Sequence, residues 1–180
     1  MTGVQTCALP ISGAFAGLQV LLPGQENVGG RDPGHTGNPE DQEAGTPFAV
    51  TIQAVDSWWN PVADVDPAIS LSLTDPFALA PRDTGLTSGR LELQATFLRA
   101  GEHTLAAATD SAGIAAYTSG TFLVNPGPYA RIIALAPGEE LLSGSALGKA
   151  GLAVDQSISY SFVMRVLATD NWWKIGRAHV

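Results

Sequence analysis

The stretch FAVTIQAVDSWWN, residues 48–60, decides the fold of this chain. From Phe48 to Ala54, apolar and polar side chains alternate, so Phe48, Val50, Ile52 and Ala54 share one face of an extended backbone. Asp56 then supplies a turn residue. Trp58 and Trp59 follow, and adjacent residues on a strand point to opposite faces, so both cannot enter one core unless the chain turns between them. The stretch therefore reads as a half-buried strand ended by an abrupt turn.

Working outward, β-branched and aromatic runs bounded by Gly, Pro, Asp and Asn predict further strands. They fall at Phe15 to Leu22, Ile69 to Leu73, Arg90 to Leu98, His103 to Ala108 and Tyr117 to Val124, with Phe48 to Val55 among them. Ile69, Leu71 and Leu73 share a face as clearly as the first set does. Burying such a face is worth about 1.5 to 3 kcal/mol per large apolar side chain, and it requires a second layer. No convincing long helix is present, so the fold class expected is all-β, two packed sheets forming a sandwich.

The decisive stretch also occurs twice. When Gly13 is laid on Gly127, a shift of 114 residues, GAFAGLQVLLPGQE falls on GPYARIIALAPGEE and AVDSWWN (54–60) falls on ATDNWWK (168–174) without a gap. Gly30, Gly34 and Gly37 meet Gly144, Gly148 and Gly151, and Phe48 meets Phe162. About a third of the aligned positions are identical. The organisation expected is one complete repeat over 13–126 and a truncated second repeat over 127–173, joined at VNPGPYA, where Pro126 and Pro128 stop one ladder before another begins. The second copy lacks the later strands that would cover Phe162 and Val166, and is not expected to fold alone.

The two ends differ from everything between them. Thr6 to Ile11 back-translates to ACG TGT GCT CTT CCG ATC, and the reverse complement of that string lies inside a back-translation of Lys174 to Val180. One inverted DNA repeat thus encodes both ends, and it resembles a sequencing-library adapter. Residues 1–11 and 174–180 are accordingly expected to be adapter-encoded and are set aside before the fold is read. Cys7, the only cysteine, goes with them, leaving one lysine, Lys149, six arginines and all 17 acidic residues.

An acidic chain so poor in lysine argues against a nucleic-acid partner, which needs basic clusters to neutralise phosphates. Without Cys7 there is no disulfide framework and no thiol nucleophile. No apolar run reaches the roughly 18 residues of a membrane span.

AGTPFAVTIQAVDSWWNPV, SGRLELQATFLRAGEHTLAAATD and TFLVNPG together resemble the repeats of bacterial immunoglobulin-like domains, of the invasin-like and filamin-like kind found in large exported surface proteins. The resemblance covers the whole unit and is carried by Ala54-Val55-Asp56 with Asn60-Pro61, and by Ala100 to Thr104 leading to Ala108-Thr109-Asp110. It implies an immunoglobulin-like β-sandwich of seven or so strands, an extracellular or cell-surface location, and a spacer or adhesion role without catalysis. Trp58-Trp59 departs from the pattern, which often carries an aromatic followed by Gly there.

The residues match few reactive chemistries. GGRDPGHTG from Gly29 and GSALGKAG from Gly144 have the wrong spacing for a phosphate-binding loop, and Ala150 stands where Ser or Thr would bind magnesium. His35 and His103 are too few and too scattered for a nucleophile system or a zinc site. Asp56, Asp64 and Asp66 around one turn offer oxygen ligands for calcium, although their spacing matches no calcium loop. Trp58 and Trp59 remain as the binding candidates. Either an exposed ring stacks on a surface glycan or protein ligand, or one tryptophan ends the core while the other packs on a neighbouring repeat.

The function expected is therefore a non-catalytic stalk or adhesion module whose partners are neighbouring repeats of the same chain, without a cofactor. The alternatives are a glycan- or protein-binding module using the tryptophan pair, and an accessory domain of an exported hydrolase.

Overall fold

A computed structural model describes residues 13–175. The proposed adapter-encoded segment 1–11 and most of 174–180 lie outside the described residues. No described residue is helical, and no helix is long and apolar enough to cross a membrane. Residues 13–126 form β1 (Gly17–Leu21), β2 (Glu26–Asn27), β3 (His35–Thr36), β4 (Gln42–Glu43), β5 (Phe48–Val55), β6 (Ala68–Leu73), β7 (Asp83–Gly85), β8 (Arg90–Ala95), β9 (Gly101–His103), β10 (Leu105–Ala108), β11 (Tyr117–Thr118) and β12 (Phe122–Asn125).

One layer is the antiparallel sheet β1-β5-β8, with Val20 opposite Ile52 and Ile52 opposite Leu91. The other layer contains β11-β10-β6-β7 and is carried on by β4-β12-β9, in which β4 runs parallel to β12. Leu18, Val20, Val50, Ile52 and Ala54 of the first layer pack with Ile69, Leu71, Leu73, Leu105 and Ala107 of the second. All are buried, as the alternation demands. The fold is an all-β, immunoglobulin-like sandwich.

The strand expected over Phe15 to Leu22 spans Gly17–Leu21, and three others end early or divide, each for a visible reason. The expected strand Arg90 to Leu98 ends at Ala95, because Thr96 exchanges both backbone hydrogen bonds with Leu79 and the Leu98 N–H turns to the Asp75 carboxylate (2.7 Å). The expected strand His103 to Ala108 is split at Thr104, whose N–H donates to the Thr74 hydroxyl (3.0 Å). The expected strand Tyr117 to Val124 is split after Thr118, where the Ser119 hydroxyl accepts the Leu105 N–H (3.0 Å).

Two pieces of the interior were not visible in the hydrophobic pattern. Asp75 is fully buried, and its carboxylate accepts backbone N–H groups from Phe77, Leu98 and Arg99 at 2.7 to 2.9 Å. Gln19 and Gln53, on the nominally outward face of their strands, are also buried. Gln53 Nε2 and Asn27 Nδ2 both donate to Gln19 Oε1, and Gln19 Nε2 donates to the Gly34 carbonyl. Every buried side-chain N or O atom among the described residues has a partner, as burial of polar groups requires.

Residues 127–175 add β13 (Arg131–Leu135), β14 (Glu139–Leu141), β15 (Lys149–Gly151) and β16 (Arg165–Thr169). β13 pairs with β16 in the register of β1 with β5, so that Arg131 opposite Thr169 corresponds to Gly17 opposite Val55. β14 pairs with β15 with Glu140 opposite Ala150, as Glu26 lies opposite Thr36. No second layer covers this pair among the described residues, and Ile132, Phe162, Met164 and Val166 are exposed.

Candidate functional site

The two tryptophan turns are built alike. In the first, the Asp56 N–H donates to the Asn60 carbonyl (2.9 Å) and the Trp59 N–H to the Asp56 carbonyl (3.1 Å). Asp56 Oδ1 accepts the N–H groups of Trp58 (2.8 Å) and Asn60 (2.9 Å), and Oδ2 accepts the Gly13 N–H (2.8 Å) and Asn60 Nδ2 (3.0 Å). The Gly13 N–H foremost, then the Asn60 amide, hold the Asp56 carboxyl down at about 2. Trp59 adopts φ 65°, the left-handed conformation that a bulky residue rarely takes, and so the two indoles leave the turn in different directions.

In the second turn the Asp170 N–H donates to the Lys174 carbonyl, and Trp173 has φ 64°. Asp170 Oδ1 accepts the N–H groups of Trp172 and Lys174 (both 2.8 Å), and Oδ2 accepts the Gly127 N–H (3.0 Å). Lys174, which the sequence comparison left outside the second copy, thus fills the backbone role of Asn60.

The second tryptophan of each pair turns inward. Trp59 lies against Gly34, where any Cβ would collide with the indole, and meets Tyr117 edge-on with 5.9 Å between ring centroids. Burial raises the Tyr117 phenol above its usual range. Trp173 lies against Gly148 in the same way, and the guanidinium of Arg131, the counterpart of Gly17, sits 4.9 Å from its ring centroid, whereas Trp59 meets Tyr117.

The first tryptophan of each pair has a different fate in the two turns. Trp58 is 66% exposed. Trp172 is half-buried against the core of residues 13–126, with its indole nitrogen over Gly45. Gly45 has φ 84°, donates its N–H to the Phe97 carbonyl (2.8 Å), and leaves the space the indole occupies. Beneath this end of the sandwich Phe48, Phe97 and Phe122 pack together, with centroids 5.1 to 5.8 Å apart. Beside it the turn at Gly144 and Ser145 is buried, and a side chain at 144 would run into Phe77 and Arg99. An open crevice of about 610 Å³, bordered by Glu43, Thr46, Arg131 and Asn171, runs along the joint.

The acidic residues do not converge. Asp56 is buried and committed to its turn, Asp64 is exposed, and Asp66 accepts the Ser88 N–H (2.6 Å) in a separate turn. Among the described residues no three Asp, Glu, His or Cys side chains come together in a way that could hold a metal ion. His103 is occupied structurally, its Nε2–H donating to the Arg99 carbonyl (2.8 Å) while Nδ1 meets the Thr74 hydroxyl (3.0 Å). Gly45, over which Trp172 sits, and Phe77 and Arg99, against which Gly144 lies, carry no local signal in the sequence that marks them as contacts. Gly45 precedes β5 in the stretch AGTPFAV, and nothing local marks it as a docking point.

No family model matches the chain, and no curated protein matches it. Among solved structures it is similar in part to a β-glucuronidase of glycoside hydrolase family 2 (12% identity, TM-score 0.48, 66% of this chain and 12% of that one). It is also similar in part to a β-glycosidase from Bacteroides vulgatus (11%, TM-score 0.47, 63% and 14%) and to the D00-D0 domain of intimin (19%, TM-score 0.36, 47% and 42%). The chain thus spans a small fraction of the glycosidases' length and less than half of the intimin fragment. None of these overlaps reaches a TM-score of 0.5, and the fold is read from the strand pairing.

Proposed function

We propose that residues 13–126 are one non-catalytic unit of a tandem array, with 127–173 the beginning of the next, and that the array serves as a stalk or adhesion segment of an exported surface protein. The observation that carries this reading is the seating of the second tryptophan turn on the first sandwich, Trp172 over Gly45 and Gly144 against Phe77 and Arg99. A unit that holds its successor through a packed contact as well as a Pro-Gly linker transmits direction along a chain of copies. The surface location follows from the resemblance of the repeat, and neighbouring copies are the partners.

The test is small-angle scattering of the chain with one, two and three copies of residues 13–126 placed ahead of Gly13. Equal increments in maximum dimension support the array, and a particle that grows only in girth overturns it. The glycan-binding alternative draws on the exposed Trp58, but Trp59 is engaged by Gly34 and Tyr117, so the turn does not present a pair of coplanar rings.

A further inference from the structure

Resting on the array reading, we infer that Trp58 and the turn at Gly30 form a docking surface for a preceding copy of this same unit, which receives Trp58 over its own Gly45 position. The contact at the other end of the molecule supplies the template. The Gly144 N–H donates to the Trp172 carbonyl (2.7 Å), and both residues press on the first sandwich. The Gly30 N–H donates to the Trp58 carbonyl (2.6 Å) in the same way. Here, however, nothing lies within 4 Å of the place a Gly30 Cβ would take, and Gly30, Arg31 and Trp58 are all exposed. One structure therefore contains the same two-part plug seated and unseated.

The kind of partner follows from the seat. A large exposed indole beside a bare glycine turn needs a flat recess with no side chain at its centre, and Gly45 provides one because its φ of 84° and the overlying indole both exclude a Cβ. A separate molecule of this chain cannot serve in the same way, because its own Trp172 already fills its seat. The occupant is a copy linked directly ahead, through a junction like the Pro126 to Pro128 segment, whose Gly127 N–H is held by the Asp170 carboxylate of the second turn.

The experiment compares the full chain with a chain carrying one added copy of residues 13–126 joined to Gly13. Both are labelled with 5-fluorotryptophan, and the Trp58 resonance is assigned by Trp58→Phe. In the extended chain the Trp58 signal is expected to lose most of its solvent isotope shift, and the Gly30 amide to exchange at least tenfold more slowly, as burial under a stable contact requires. Gly45→Val in the added copy alone is expected to undo both changes while that copy keeps its own unfolding transition.

An added copy that folds while Trp58 and Gly30 stay as they were overturns the docking surface and leaves the array standing. An added copy that fails to fold overturns both. If Trp58 instead stays solvent-exposed in the extended chain and shifts only on adding an oligosaccharide mixture, the surface belongs to a glycan and the inference fails.

Discussion

Residues 13–60 and 127–174 have the same hairpin registers and the same tryptophan turn, in which an Asp carboxylate caps the turn and the second Trp has a φ near 65°. Yet one segment is half of a closed sandwich and the other lies open on one face, with Phe162 and Val166 exposed where Phe48 and Ile52 are buried. The local geometry is therefore set by local chemistry: glycines at the positive-φ positions, an Asp cap, and strand pairing. The opposing layer decides what that geometry is worth in stability.

The largest test of this separation is Gly34→Ala beside Gly148→Ala. Both positions have φ above 70°, and both would drive a Cβ into the indole of the same copy's turn, Trp59 or Trp173 respectively. At Gly34 the displaced ring is wedged against Tyr117 at the edge of the closed core, so strain and clash together are expected to cost about 3 kcal/mol. At Gly148 the ring faces the Arg131 guanidinium in the segment that no second layer covers, and the main urea transition is expected to stay within about 0.5 kcal/mol. Equal losses at both sites would show that the two segments unfold as one.

The comparison also sharpens in the core. Gln19, Asn27 and Gln53 form a linked amide network in the first segment, and the corresponding residues are Ile133, Leu141 and Leu167. A linked amide set and an aliphatic set each satisfy the same space, whereas a mixture leaves amides without partners. Gln19→Ile alone strands the Gln53 Nε2 donor, while Asn27 Nδ2 keeps the Gly34 and Trp59 carbonyls, and is expected to cost about 2 kcal/mol. The triple change Gln19→Ile, Asn27→Leu, Gln53→Leu is expected to fall within about 1 kcal/mol of the parent by urea denaturation. Additive losses would sink the idea that the network acts as a unit.

These residues also mark how far the sequence could be read. β5 emerged with both ends in place, because Phe48, Val50, Ile52 and Ala54 alternate against a turn at Asp56. Gln19 and Gln53 read as solvent-facing, since alternation reports polarity and is blind to three amides that satisfy one another from different strands. β4 is two residues long and held by a parallel partner some eighty residues away, so no local pattern could announce it. At the site, the adjacency of Trp58 and Trp59 implied that both could not enter one core without a turn between them, and Trp58 is exposed. The means, a left-handed Trp59 over Gly34, and the seat of Trp172 on Gly45 arise from contacts distant in sequence.

Acid offers a smaller probe of the turn itself. The folded Asp56 carboxyl titrates at about 2, below its ordinary 3.8, so its contribution is fully present above about pH 4 and is lost as pH falls toward 2. The urea midpoint of the parent is expected to exceed that of Asp56→Asn most at pH 5, and the gap is expected to close progressively between pH 4 and pH 2. A gap that stays constant across that range would mean that the charge on Asp56 contributes nothing to the turn.

The smallest effects belong to the two tryptophans whose surroundings differ most. Trp172→Ala uncovers Gly45 and is expected to cost the first sandwich about 1 kcal/mol, with protease cleavage appearing between 127 and 143. Trp58→Ala touches an exposed ring and is expected to change the stability of this chain by less than about 0.5 kcal/mol. In a chain with a copy ahead of Gly13, Trp58→Ala should come to resemble Trp172→Ala, because the same side chain then sits in the same seat. If Trp58→Ala is already costly without that copy, the ring serves its own sandwich, and the likeness between the two ends lies in the backbone alone.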